Sequence, residues 1–141
     1  HVLGPPTSTA GMARLSDTGV DIASVVIASH ADGALSSSIA SFDSDTANRA
    51  VISGTGGRIV LDAQMHSSKR ILLERRRDRV EVIDTGFEGH GFQFESAHVE
   101  ECVREGLTES PLRPHRHTLE VMHWMDDVRA QVGVRFPTDP D

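Results

Sequence analysis

A chain of 141 residues with 38% hydrophobic and 25% charged residues is long enough to bury a core and has the composition of a globular fold, not a disordered one. Its net charge of -7 argues against bulk attraction to nucleic acid or an anionic membrane, and no apolar stretch approaches the ~20 residues of a bilayer span. The single Cys102 excludes an internal disulfide and suits a reducing, cytoplasmic setting.

The opening HVLGPP reads as the exit from a preceding element, and residues 7 to 15 as a strand. Residues 21 to 31 (DIASVVIASHA) and 34 to 42 (ALSSSIASF) are β-rich runs joined at Asp32-Gly33, a dipeptide that favours the type I′ hairpin turn. In the second run Leu35 and Ile39 share a face with Ser37 and Ser41, and such small side chains let something pack closely. Four more strands are expected at 48–53, 58–62, 70–74 and 79–83, the last alternating Val80 and Val82 with Arg79 and Glu81. Between the first two of these lies VISGTGGRIV, with Gly54, Gly56 and Gly57. A phosphate cradle needs its glycines to open a helix, whereas these lead into the β-branched run from Arg58. They predict a hairpin turn whose glycines take positive φ.

After Asp84 the period changes. Phe92, Ser96, Val99, Cys102, Val103 and Gly106 follow helical spacing, with Gly106 at the C-cap position. Beyond Pro111 and Pro114, a second helix is expected over 115–132. Its buried stripe would be Thr118, Val121, Met122, Met125, Val128 and Val132, and Gly133 closes it. Strands followed by segregated helices predict an α+β fold over residues 1–141. The expected form is a largely antiparallel open sheet of about six or seven strands, with the two C-terminal helices packed on one face.

Catalytic chemistry is hard to place on these residues. His115, His117 and His123 offer nitrogen ligands, but positions i and i+2 of a helix diverge by about 200°, and neither a Cys pair nor His-Glu-x-x-His accompanies them; no metal site is predicted. There is no G-x-S-x-G elbow, Cys102 falls on an inward helical stripe, and Glu100-Glu101 and Asp126-Asp127 read as solvated. Lys69, Arg70, Arg75, Arg76, Arg77 and Arg79 are interrupted by Glu74 and Asp78 and lack stacking aromatics, which favours a solvated hairpin tip over a nucleic-acid surface. The junction loop DTGFEGHGFQFE, residues 84–95, carries most of the aromatics. Phe92 and Phe94 are expected to dock into the core, while Phe87 and His90 are the candidates to line a substrate pocket.

Phe94-Glu95, Ala97-His98-Val99, Glu101-Cys102, Gly106, Glu109-Ser110-Pro111 and Pro114 occur in an order that carries a resemblance, followed by Thr118, Val121, Met122, Asp127, Arg129 and Gly133-Val134-Arg135-Phe136-Pro137. With ISGTGGR at 52–58, they make the chain similar to the C-terminal domain of the Gfo/Idh/MocA oxidoreductases, in the dihydrodiol dehydrogenase-like branch. The resemblance implies a parent enzyme using NAD(P), with the nucleotide and the catalytic Glu-Lys-Pro lysine on an N-terminal Rossmann domain. Neither that fingerprint nor that motif is present: Lys69, the only lysine, lies between Ser68 and Arg70. The Asp and His that members often place just before the long sheet would fall upstream as well. The resemblance therefore implies no catalytic and no cofactor-binding residue on this chain. It implies a substrate and oligomerisation domain, inactive alone, for a small-molecule substrate such as a sugar, polyol or cyclic diol, forming a homo-oligomer through the sheet and contacting neither nucleic acid nor membrane. The rival reading is a stand-alone ligand-binding or protein-interaction module without catalysis.

Overall fold

The computed structural model describes residues 2–76, 78–86 and 88–139. In chain order it runs β1 (Pro6–Leu15), β2 (Asp21–His30), β3 (Leu35–Ser41), β4 (Ala50–Gly54), β5 (Gly57–Leu61), β6 (Arg70–Arg75), β7 (Glu81–Asp84), α1 (Phe92–Arg104) and α2 (His115–Val132). The fold is α+β: the described residues form seven strands, all paired antiparallel, and two α-helices near the C-terminus. The strands do not form one ladder. They divide into a three-stranded sheet ordered β1-β2-β3 and a four-stranded sheet ordered β4-β5-β6-β7. The division falls at FDSDTANR, residues 42–49, a run rich in Asp, Ser and Asn, whose side chains compete for backbone hydrogen bonds.

The chain forms two compact units, one from residues 1–46 and 109–141, the other from 47–108. In the first, α2 packs on β1 of the three-stranded sheet. Gly11 makes room for it: a Cβ there would lie 3.1 Å from Val132 Cγ1 and 3.3 Å from Val128 Cγ1. Because β1 is an edge strand, the Gly11 N–H is free to donate outward, and it does so to Gln131 Oε1 at 3.0 Å. The Gln131 amide in turn donates to Thr9 Oγ1 at 3.3 Å. The stripe expected for this helix is partly corrected. Val128 and Val132 face β1, but Thr118, Val121, Met122 and Met125 are exposed. Half-buried Trp124, four residues before Val128, continues the packing line instead. Buried Ala28 and His30 lie on the inner face of β2. His30 Nδ1 is 3.1 Å from the Gly4 carbonyl oxygen, an acceptor only, so in the neutral ring Nδ1 donates and Nε2 accepts from the Ser36 hydroxyl at 2.8 Å.

The opposite face of this sheet is open. Register places Met12 opposite Val25 and Val25 opposite Ile39, with Ile27 and Leu35 on the same side. All five are exposed, Met12 by 79% and Leu35 by 78%. At the β2–β3 turn Asp32 and Gly33 both take positive φ, as a type I′ pair would. The hydrogen bond from His30 N–H to Ala34 C=O makes this turn one residue longer than the two-residue form.

In the second unit, Val51, buried Val60, Leu72 and Val82 form a cross-strand row on one face of the sheet. Alternation puts Arg49, Asp62 and Arg70 at one end of this row and Arg58 and Glu74 at the other. The charges pair across strands: Arg49–Asp62 at 2.9 Å, Arg70–Asp62 at 3.6 Å and Arg58–Glu74 at 2.5 Å. VISGTGGRIV is a hairpin, as expected, but positive φ is confined to Gly57 at 153°. That glycine is required by the approach of β6, since a Cβ on it would fall 2.1 Å from the Glu74 carbonyl oxygen.

Helix α1 enters from Gly91 (φ 89°) and ends at Gly106 (φ 70°), where Leu107 N–H returns to Cys102 C=O at 2.9 Å in a Schellman-type closure. Cys102 is buried, with Sγ 3.5 Å from His98 Nε2. The placing of Phe92 and Phe94 in the core is corrected: they are 68% and 57% exposed, as are Val99 and Val103 along the same helix. The N-terminus of α2 is held by Glu109, whose carboxylate accepts the His115 N–H at 2.7 Å.

Candidate functional site

Two short connections of the second unit meet at one end of its sheet. The first, DAQMHSSK (62–69), turns between β5 and β6 through Gln64, held in the left-handed region (φ 62°, ψ 57°), and a single 3₁₀ turn at Met65–Ser67. The second leaves β7, and its Thr85 is stitched to the first: Thr85 N–H donates to Lys69 C=O at 3.0 Å and Thr85 Oγ1 to Ser68 C=O at 3.2 Å. Gly86, Gly89 and Gly91, all at positive φ, then carry the chain into α1. A cavity of about 330 Å³ lies between these connections, lined by Asp62, Gln64, Ser67, Lys69, Arg70 and His90 among others.

Its polar groups are unevenly matched. Asp62 accepts from Arg49, lies near Arg70, and receives the Ala63 N–H. The Arg49 hydrogen bond, chief among these, holds its carboxyl below the usual carboxylate range, so it is ionised and fully engaged at neutral pH. Ser68, buried, donates to the Arg70 carbonyl at 2.7 Å. Ser67 is also a buried residue, at 9% exposure, and among the described residues its hydroxyl has no protein partner. Among the described residues the Lys69 ammonium has no carboxylate partner.

The first unit has its own cavity, of about 440 Å³, between α2 and the inner face of β2 and β3. Val26, Met122, Met125, Val132, Val134 and Phe136 make it apolar. At its rim Arg129 binds Asp126 at 3.0 Å and also Asp139, and lies over the Phe136 ring at 4.4 Å. The Arg129 hydrogen bond, aided by the Phe136 N–H, holds the Asp139 carboxyl below its ordinary range.

His90 lines the polar cavity; Phe87 lies outside the described residues. Gln64, Ser67, Lys69 and Arg70 were not anticipated there. Lys69 and Arg70 read as part of a basic hairpin tip, and a left-handed Gln has no sequence signature comparable to that of glycine. Two described residues of that basic cluster are paired: Arg70 with Asp62, and Arg75 with Glu81 at 2.8 Å. Arg77 lies outside the described residues. His115 is 3.8 Å from Glu109, and among the described residues no three His, Cys, Asp or Glu side chains gather to hold a metal. No helix among them is long and apolar enough to cross a membrane.

The described residues form no Rossmann-type dinucleotide cradle. A Rossmann cradle requires parallel strands and a glycine loop opening a helix, whereas every strand pairing is antiparallel and the 54–57 glycines close a hairpin. Gly86, Gly89 and Gly91 do precede a helix, but their spacing is not G-x-G-x-x-G and their strand, β7, pairs antiparallel with β6.

No family model matches the chain. It is 28% identical over 138 residues to trans-1,2-dihydrobenzene-1,2-diol dehydrogenase of Mus musculus, covering 95% of this chain and 41% of that protein. The enzyme of the same name from Xenopus tropicalis is 29% identical over 140 residues (94% of this chain, 42% of that protein), and the Homo sapiens enzyme 27% over 139 residues (95% and 42%). The chain thus spans about two-fifths of the length of these relatives. Among solved structures, an aldose–aldose oxidoreductase from Caulobacter crescentus, complexed with glycerol, shares the fold with a TM-score of 0.76. The identity there is 12%, over 92% of this chain and 39% of that one. These matches bear out the resemblance to the dihydrodiol dehydrogenase-like branch of the Gfo/Idh/MocA oxidoreductases.

Proposed function

From this kinship we propose that residues 1–141 act as the C-terminal substrate and oligomerisation domain of an NAD(P)-dependent oxidoreductase acting on a sugar, polyol or cyclic diol. The carrying observation is similarity across 95% of the chain to dehydrogenases of which it spans only about two-fifths. The nucleotide is assigned to protein outside these residues, in keeping with the antiparallel sheets and the hairpin role of the Gly54–Gly57 loop. The contribution of this chain is the pocket wall around His90, with Phe87 beside it in sequence.

The open face of β1-β2-β3 supports the second task. Met12, Val25, Ile27, Leu35 and Ile39 make an apolar surface on a sheet whose other face carries α2, and a second copy of the chain is the partner this reading gives it. The test is to express the chain with the coding sequence that precedes it and assay NAD(P)-linked oxidation across a panel of sugars, polyols and cyclic diols. Turnover by the longer protein, none by residues 1–141, and a raised KM in His90→Ala at nearly unchanged kcat are expected. A longer protein with no dinucleotide-binding sequence and no turnover would overturn the reading.

A further inference from the structure

Resting on the proposed role of the wall around His90, we propose that the cavity between the 62–69 connection and the loop into α1 receives the anionic group of a polyhydroxylated ligand, a sugar carboxylate or a sugar phosphate. The cavity is rich in donors and poor in acceptors. Among the described residues Lys69 brings an ammonium with no carboxylate partner, Arg70 a guanidinium shared with Asp62, and Ser67, itself a nine-tenths buried residue, a hydroxyl without a protein partner. Gln64 and His90 add adaptable polar groups at the same cavity.

The one carboxylate on the lining, Asp62, is engaged by Arg49, by Arg70 and by the Ala63 N–H. Its charge is therefore spent within the protein, and Lys69 remains as excess positive charge at the cavity. A neutral polyol presents as many hydroxyl donors as acceptors and would leave that excess unmatched. A carboxylate or phosphate presents acceptors only, and charge-assisted hydrogen bonds to ammonium, guanidinium and hydroxyl are the strong ones. Two features indicate a shaped site. Gln64 is kept in a left-handed conformation that β-carbon-bearing residues rarely adopt, and Thr85 ties the two lining connections together through both its N–H and its hydroxyl.

The experiment uses residues 1–141 without turnover, titrated with D-glucuronate, D-glucose 6-phosphate, D-glucose and inorganic phosphate while amide chemical shifts are followed. At least one sugar anion is expected to shift the resonances of Gln64, Ser67 and His90 and to bind ~10-fold or more tightly than glucose, and whichever of the two does so identifies the group as carboxylate or phosphate. Lys69→Met should erase that preference, Lys69→Arg should restore it, and Ser67→Ala should weaken the sugar anion several-fold. Glucose binding as well as the anions, inorganic phosphate binding as tightly as the sugar anions, or a preference that survives Lys69→Met would each overturn the proposal. Binding is read here without cofactor, so absence of dehydrogenase activity in the longer protein leaves this result standing, and the reverse holds equally.

Discussion

Gly57 and Glu74 sit so close across the β5–β6 ladder that a Cβ on Gly57 would lie 2.1 Å from the Glu74 carbonyl oxygen and 2.9 Å from the Arg75 Cα. Backbone, unlike the tip of a side chain, cannot move aside without breaking the ladder on that sheet. Gly57→Ala is therefore expected to destabilise the 47–108 unit by about 2–4 kcal/mol, the range for steric insertion combined with an unfavourable φ. A Cβ on Gly56 would meet nothing within 4 Å, so alanine there should cost about 0.5 kcal/mol or less. Urea unfolding of the two variants checks the contrast, and equal losses would contradict it.

Gln131 is the polar anchor of α2, accepting from Gly11 N–H and donating to Thr9 Oγ1 across 120 and 122 residues of sequence. Gln131→Leu preserves bulk and removes both bonds, and should cost about 1 kcal/mol. The Gly11 amide should then exchange with deuterium faster in the variant, while amides of the four-stranded sheet keep their rates.

Asp139 reports on acid. Its carboxyl titrates below its unfolded value because the ionised form is held by Arg129, so the contact stabilises the fold above about pH 4 and is lost as pH falls through the lower folded value. Carboxyl ¹³C shifts should show Asp139 titrating below the ordinary aspartate value, and Arg129→Gln should bring it back toward that value. An unchanged Asp139 titration in that variant would show that Arg129 is not the cause.

Met12 and Ile39, 79% and 69% exposed, lie on the open apolar face of the three-stranded sheet. Met12→Asp with Ile39→Asp should leave the circular dichroism spectrum unchanged and, by light scattering after size exclusion, convert an oligomer to a monomer. A wild-type chain already monomeric at high micromolar concentration would remove the oligomer reading.

The elements were legible wherever a local rule decides them. Alternation marked the strands, Asp32-Gly33 marked a turn with two left-handed residues, and Gly106 and Gly133 closed both helices. The face that α2 buries was legible only in part: Val128 and Val132 meet Gly11, whereas Met122 and Met125 line the neighbouring cavity and stay exposed, a difference set by the sheet and not by helical spacing. Phe92 and Phe94 misled for a related reason. An amphipathic period says that a face wants covering and is silent about what covers it. Within the polar cavity His90 drew notice through its aromatic, glycine-rich loop, but Ser67, Lys69 and Gln64 meet it through a turn whose left-handed residue nothing in the sequence announces.

The interrupted layout of the first unit also dictates an order of events during synthesis. Residues 47–108 are contiguous and can fold soon after they leave the ribosome, whereas β1 is made well before α2 and waits for it. At ~5–20 residues per second that delay lasts several seconds, during which Gly11, Val26 and Ala28 have no helix to cover them. A nascent chain stalled before residue 115 would thus display one finished half and one unfinished sheet, the state most open to a chaperone.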